Sequence, residues 1–237
     1  MMSYLIPALA PAAFALAAGL ATRTPGRRPE ALAARTELAA LAAVGVSLLS
    51  ILVLVTEGPG TSPLIGREGV AFGIRLDPVS ATMLALVSFV GWVVLRYSRR
   101  YLDGEARQGA FLGWMSATLA AVLLLVSAPT LVQLVLAWVA TSVFLHRLLL
   151  FYPGRVAARR AARKKWVFSR IGDAALVMAA ILLSRGYGTG EIDAILAAAR
   201  AGEVAPGTIW AAFLLAFAAI LKSAQFPTHG WLTEVME

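Results

Sequence analysis

Residues 108–145 read QGAFLGWMSATLAAVLLLVSAPTLVQLVLAWVATSVFL and carry no charged side chain. A helix needs about 20 apolar residues to cross the hydrocarbon core of a bilayer, so this run is too long for one crossing. The segment SAP at residues 127–129 interrupts it, because proline breaks a helix. The run therefore predicts two membrane-spanning helices, at about residues 109–127 and 130–151.

The rest of the chain has the same character. Of its 237 residues 59% are hydrophobic and 14% are charged, whereas soluble domains are about 45–50% apolar and about 25% charged. No positive charge precedes the first apolar run, so we expect a retained helix and not a signal peptide. We predict an all-α polytopic membrane protein with about seven transmembrane helices. The remaining five lie at about residues 4–21, 38–56, 78–95, 166–184 and 208–226.

Composition also excludes several classes of site. There is no cysteine, which excludes disulfides, thiolate zinc sites and cysteine nucleophiles, and there are only two histidines. We expect no catalytic site, metal or cofactor in this chain. The net charge of +8 comes from basic residues between the apolar runs, which indicates membrane topology and not nucleic-acid binding.

Lysine and arginine are distributed unevenly among the loops. The loops after the first, third and fifth predicted helices are rich in them, and the loops between are poor. By the positive-inside rule the rich loops are cytoplasmic, so the amino terminus is outside a cell inner (plasma) membrane. The loop after the fifth helix is either a solvated loop beside lipid or a docking site for a cytoplasmic partner. Its basic residues are Arg155, Arg159, Arg160, Arg163, Lys164 and Lys165.

Some ionisable residues lie inside the predicted helices. Lys222 falls in the seventh helix, where a central lysine costs about 2.5–3.5 kcal/mol on the insertion scale. It either extends to the membrane surface or serves an ion path. Arg170 and Asp173, three apart in the sixth helix, form either a plain ion pair or part of such a path. His146 in the fifth helix is either a hydrogen-bonded core residue or a titrating group.

These residues converge if the last three helices are neighbours. His146 and Asp173 then lie at similar depths, and Lys222 lies in the middle to inner half. Pro227 breaks the seventh helix and frees backbone polar groups that a cavity or partner must satisfy. The pattern predicts a polar seam that conducts protons or sodium ions. His229, just past Pro227, is either a loop residue or an inner gate.

Two motifs resemble a known family. KSAQFPTHGWLTEVME, at residues 222–237, resembles the helix-seven motif of the large antiporter-like subunits of respiratory complex I and of cation/proton antiporters. SRIGDAAL, at residues 169–176, is similar to the helix-six motif of that family. The resemblance implies the N-terminal part of the family fold and assigns proton-path roles to Lys222, Arg170 and Asp173.

Within this family the chain resembles one branch more closely than the others, the DabB membrane subunits of inorganic carbon transporters. RYSRRYLDGE at residues 96–105, LHRLLLFYPGRVAARRAARKK at residues 145–165 and the FPTHGWL form of the helix-seven motif carry this likeness. Complex I subunits place a glutamate after a tryptophan on helix five, as the partner of the helix-seven lysine. Here Trp138 is followed by Val139. We hypothesise that His146, two turns further on, or Asp173 replaces that glutamate.

Family members continue beyond the helix-seven motif, so we expect this chain, ending at Glu237, to be truncated before the rest of the fold. The DabB likeness implies that ion flow energises a cytoplasmic, zinc-dependent DabA-like partner that converts CO2 to bicarbonate, with no catalytic site in this chain. The alternatives are subunit L of NADH-quinone oxidoreductase, a multisubunit antiporter subunit, or a non-conducting scaffold.

Overall fold

The computed structural model describes residues 2–24, 26, 29–67, 70–152, 154–226 and 228–236. The chain divides into two compact units. Unit 1 comprises residues 1–66 and 72–129, and unit 2 comprises residues 67–71 and 130–237.

Unit 1 is built from long helices. A 3-10 helix leads directly into α1, and short strands lie in the connection between α2 and α3. The elements are the 3-10 helix Ser3–Ala8, α1 Leu9–Ala21, α2 Glu30–Glu57, α3 Pro78–Tyr101 and α4 Gln108–Val126. The strands, which were not predicted, are β1 Gly60–Thr61, β2 Ile65–Arg67, β3 Val70–Phe72 and β4 Arg75–Leu76. Strand β1 pairs antiparallel with β4.

Small residues let the helices of unit 1 approach closely. Helix α1 packs against α2 and α4, and α3 packs against both α2 and α4. At the α1–α4 contact a Cβ built on Gly113 would lie 2.6 Å from the Cβ of Ala21. Between α2 and α3 the hydroxyl of Ser47 lies 2.7 Å from the carbonyl oxygen of Ala43 and 3.0 Å from the Ser88 hydroxyl.

The burial pattern of α2 is the inverse of that in a soluble protein. Ser47 and Ser50 are 1% and 0% exposed, whereas Leu48 and Leu52 are 60% and 58% exposed. Apolar side chains on the outside would be unfavourable in water but match the hydrocarbon of a bilayer. The helix therefore presents leucines to lipid and packs its small polar residues inward.

Unit 2 is organised around one long helix. Helix α6 packs against α5, α7, α8 and α9. The elements are α5 Leu131–Leu149, α6 Val156–Tyr187, α7 Ile192–Arg200, α8 Thr208–Lys222 and α9 Gly230–Met236. A small apolar cluster joins Ala175 and Leu176 of α6 to Ala218 of α8. Within this unit, α5 and α8 therefore both lie against α6.

The predicted all-α membrane fold is confirmed. Within the described residues, six helices are long and apolar enough to cross a membrane. They are the helix at Ser3–Ala21, α2, α3, α4, α5 and α6. The seventh predicted span corresponds to α8, the shorter apolar helix Thr208–Lys222. Because a helix rises only about 1.5 Å per residue, α8 is too short to cross a hydrocarbon core about 30 Å thick without tilt or thinning.

Several predicted boundaries need correction. Helix α2 begins at Glu30 and not at residue 38, and α3 continues to Tyr101 and not only to residue 95. Helix α6 spans Val156–Tyr187, so residues 156–165, predicted as a loop, are its first turns. Each of these extensions carries basic or acidic side chains. Such residues favour helix formation, but they lower the mean hydropathy, so a prediction from apolar length leaves them outside the span.

The other segments near the carboxyl end also differ from the prediction. Helix α8 ends at Lys222, earlier than the predicted residue 226, because Ala224 adopts a left-handed conformation with φ 51°. The chain resumes helical structure at Gly230, so a break is present. Pro227, to which the break was assigned, lies outside the described residues.

Candidate ion pathway in helices α5, α6 and α8

The ammonium group of Lys222 is held by three oxygen atoms of α5. It donates to the carbonyl oxygen of Trp138 at 2.9 Å, to the Thr141 hydroxyl at 2.9 Å and to the Ser142 hydroxyl at 2.6 Å. These contacts match the three N–H donors of an ammonium. The Nζ atom also lies 4.5 Å from the centroid of the Trp138 ring, within cation–π range. Lys222 thus points to a neighbouring helix.

Ser142 contacts a second lysine through its backbone. The Nζ atom of Lys165 donates to the carbonyl oxygen of Ser142 at 2.7 Å. Lys165 is 5% exposed and Ser142 is 1% exposed. One buried serine of α5 therefore accepts hydrogen bonds from ammonium groups of both α6 and α8.

The burial of Lys165 differs from its expected place in a solvated docking loop. Lys165, Ser169 and Asp173 follow each other at intervals of four on α6, so they share one face. All three are buried, at 5%, 7% and 6% exposure. This spacing would have placed Lys165 beside Asp173 from sequence alone, had the helix been extended back to residue 156.

Arg170 and Asp173 form the ion pair that their spacing predicts. The Nη2 atom of Arg170 lies 2.5 Å from Oδ2 of Asp173, whose side chain is 8% exposed. The second carboxylate oxygen, Oδ1, has no hydrogen-bond partner among the described residues. The charge of Asp173 also acts on the ammonium groups of Lys165 and Lys222. One buried carboxylate therefore serves several cationic groups.

Trp166 lies between His146 and Arg170. Its ring centroid is 4.8 Å from that of His146, and the guanidinium carbon of Arg170 lies 4.3 Å from the Trp166 ring centroid. His146 also hydrogen-bonds to the backbone of Ala162. Nothing in the sequence singled out Trp166, because the helix to which it belongs was predicted to begin there.

On α5, where the complex I motif has a glutamate as the partner of the helix-seven lysine, this chain has neutral groups. Val139 is half-buried, and the oxygens of Trp138, Thr141 and Ser142 contact Lys222 directly. Of the two suggested replacements, Asp173 interacts electrostatically with Lys222, whereas His146 interacts with Lys165 and Arg170. The seam formed by Ser142, Lys165, Arg170, Asp173 and Lys222 is called the lysine seam below.

His229 lies apart from the lysine seam. It is exposed, and its ring packs beside that of Phe226 with centroids 5.8 Å apart. Its backbone carbonyl accepts a hydrogen bond from the amide of Leu232 in α9. These contacts are those of a residue in the connection between α8 and α9.

The remaining basic residues of the predicted docking loop lie on one exposed face of α6. Arg155 precedes the helix, and Lys164 forms an ion pair with Glu234 of α9. A surface groove of about 660 Å³ is lined by Val156, Arg159, Arg160, Arg163, Lys164 and Val167. Among the described residues no group of three or more His, Asp or Glu side chains could hold a metal ion.

Comparisons with known proteins identify the family to which this fold belongs. A family model described as NADH:quinone oxidoreductase/Mrp antiporter matches residues 128–237. A second, described as the complex I chain 5 N-terminus, matches residues 65–112. The chain is 28% identical to a chain of the Mrp complex from Dietzia sp. DQ12-45-1b, with a TM-score of 0.77. That match covers 100% of this chain and 25% of the other.

The chain belongs to the antiporter-like family of membrane subunits that these two models describe, and it is a multi-span membrane protein. Its sequence is similar to the probable inorganic carbon transporter subunit DabB2 of Halothiobacillus neapolitanus. That relative is 37% identical over 235 residues, which is 96% of this chain and 42% of the relative. NADH-quinone oxidoreductase subunit L of Mycobacterium tuberculosis is 33% identical over 73% of this chain and 27% of its own length. The chain thus spans less than half the length of these relatives.

Proposed function

We propose that this chain is the ion-conducting membrane subunit of an inorganic carbon uptake complex. The ion, a proton or sodium, passes along the lysine seam of unit 2, with Lys222, Asp173 and Arg170 as path residues. The observation that carries the proposal is the half-buried contact of Lys222 with α5, next to the buried Asp173 and Lys165, supported by the sequence likeness to DabB2. Ionised side chains inside a membrane helix bundle are expensive and therefore mark an ion path.

The energised partner in this proposal is a cytoplasmic, DabA-like zinc protein that converts CO2 to bicarbonate. The exposed basic face of α6, with Arg159, Arg160 and Arg163, provides a docking surface of complementary charge for an acidic patch. The loops after α1, α3 and α5 are cytoplasmic, and the amino terminus lies outside the inner membrane. His146 belongs to the path as a titrating group beside Trp166, and His229, exposed in the connection between α8 and α9, acts as an inner gate outside the lysine seam.

The ion-path part is tested by flux into proteoliposomes that contain the chain and a pH-sensitive dye. Lys222→Ala is expected to reduce flux at least about tenfold, because the seam loses its α8 proton carrier. Ser223→Ala is the matched control, since its hydroxyl bonds only to carbonyls of its own helix, at Ala219 and Ile220. Undiminished flux in Lys222→Ala would remove Lys222 from the path, and absence of flux through the unaltered chain would favour a scaffold that conducts nothing.

The carbon-uptake part is tested by purifying the tagged chain from its own cells. Co-purification of a zinc-bearing cytoplasmic protein, together with a need for elevated CO2 in cells lacking the chain, is the expected outcome. Recovery of respiratory NADH dehydrogenase subunits would instead support the second candidate, a subunit L-like proton pump, which the 33% identity to the mycobacterial subunit favours.

A further inference from the structure

Two lysines of unit 2, the buried Lys165 and the half-buried Lys222, meet at a single residue. Lys222 donates to the hydroxyl of Ser142 at 2.6 Å, and Lys165 donates to the carbonyl oxygen of Ser142 at 2.7 Å. The lysines come from α8 and α6, and the serine from α5. Because the hydroxyl and the carbonyl belong to one residue, the two amino groups lie next to the same short stretch of backbone.

The charges around Ser142 do not balance if both lysines are protonated. Lys165, Lys222 and Arg170 are cationic, and Asp173, which already pairs with Arg170 at 2.5 Å, is the carboxylate that acts on all three. A buried charge without a full counter-charge is strongly unfavourable. Three cations and one carboxylate leave two positive charges in excess, and one proton fewer lowers this excess to one. Arginine cannot release a proton, so the proton that leaves comes from one of the two lysines.

We propose that Lys165 is a second proton carrier of the pathway and exchanges a proton with Lys222 through the Ser142 hydroxyl. This inference rests on the proposed ion-conducting function. The Lys222 ammonium gives a proton to Oγ of Ser142 while the Ser142 hydroxyl gives its own proton to the neutral amine of Lys165. Lys222 becomes a neutral amine, Lys165 becomes an ammonium, and Ser142 is unchanged.

The exchange requires the amine of Lys165 to turn from the carbonyl oxygen of Ser142, which it contacts at 2.7 Å, toward the hydroxyl of the same residue. A neutral amine keeps two N–H donors and has a lone pair that accepts from this hydroxyl. The same seam disfavours sodium, because its oxygens from Trp138, Thr141 and Ser142 already accept from an ammonium and the neighbouring charges repel a cation. The ion that the seam carries is thus the proton.

The decisive variant is Lys165→Arg, which keeps the positive charge but cannot release a proton. Proton flux in proteoliposomes is expected to fall at least about tenfold. The matched control is Arg185→Lys, an exposed basic residue in the last turn of α6. It should keep flux within about twofold of the unaltered chain, because an exposed charge outside the lysine seam contributes little.

Three further variants keep the inference falsifiable if Lys165→Arg folds poorly. Lys165→Met removes one of the excess positive charges of the seam and should also abolish flux. Ser142→Ala should lose flux, whereas Ser142→Thr, which retains a hydroxyl, should restore it. Each variant is compared at equal recovery from size-exclusion chromatography.

The outcomes separate this inference from the proposed function. Normal flux in Lys165→Arg alongside lost flux in Lys222→Ala would overturn the two-lysine exchange and leave the ion path intact. Flux that follows a sodium gradient would overturn the assignment of the proton. A chain that carries no ion in its unaltered form would overturn both proposals.

Discussion

The two units bury different kinds of polar groups between their helices. In unit 1 the α2–α3 contact contains neutral hydroxyls, with Ser47 donating to a carbonyl oxygen of its own helix. In unit 2 the contacts of α6 and α8 with α5 contain ammonium groups, and Lys222 finds its acceptors on α5. A hydroxyl can be satisfied within one helix, whereas these ammonium groups need oxygens from another. The buried hydroxyls of unit 1 therefore allow its helices to pack closely. The ammonium groups of unit 2 instead join separate helices by charged hydrogen bonds.

The largest difference in stability loss between the two units is expected when a carboxylate is replaced. The Asp173 side chain is buried against Arg170, whereas Glu37 in unit 1 pairs with the exposed side chains of Arg99 and Arg96. Asp173→Asn leaves buried cations without compensation, so we expect a loss of about 3–5 kcal/mol in stability. Glu37→Gln should cost about 0–1 kcal/mol, as for other surface ion pairs. Thermal unfolding in detergent measures both, and equal losses would contradict the distinction between the units.

A smaller difference in stability loss between the two units is expected when a serine is replaced. Ser142→Ala removes a hydrogen bond to a charged group and should cost about 1.5–3 kcal/mol. Ser88→Ala should cost about 0.5–1.5 kcal/mol, because Ser47 keeps its bond to the carbonyl oxygen of Ala43. The same unfolding measurement applies to both variants. A Ser88→Ala loss as large as that of Ser142→Ala would mean that neutral hydroxyls matter as much as charged contacts.

A contrast of opposite sign between the units concerns how closely the helices approach. Gly113→Ala places a Cβ 2.6 Å from the Cβ of Ala21 and should destabilise the protein by about 1–3 kcal/mol. Gly172→Ala meets its nearest atom, the Cβ of Leu221, at 3.5 Å, which is ordinary contact. It should stabilise α6 by up to about 1 kcal/mol, since alanine favours helix. Destabilisation by Gly172→Ala would show that the α6–α8 contact is tighter than the distance indicates.

Sequence analysis predicted the membrane fold well where apolar length decides it. The division between α4 and α5 follows from the proline at residue 129, and the observed helices begin and end close to the predicted positions there. It failed at the start of α6 because a stretch rich in arginine and lysine is helical but not apolar. The strands between α2 and α3 were also missed, since each is very short.

The candidate site was only partly predictable for a different reason. Lys222, Arg170 and Asp173 stand out because charge inside an apolar run is costly. The partners of Lys222 are a backbone carbonyl and two ordinary hydroxyls, and their role depends on how α8 lies against α5. Lys165 was hidden by the wrong helix boundary, and His229 was included because of its sequence position beside Pro227.

The early end of α8 has an electrostatic consequence of its own. Peptide dipoles along a helix sum to a partial negative charge at its carboxyl end, where the last carbonyl groups have no partner in the next turn. Lys222 is the final residue of α8, and the left-handed Ala224 prevents another turn from following. The backbone itself thus places a fraction of a counter-ion beside the ammonium of Lys222. In a chain with the uncharged Val139 after Trp138, the end of α8 supplies some of the negative potential near Lys222.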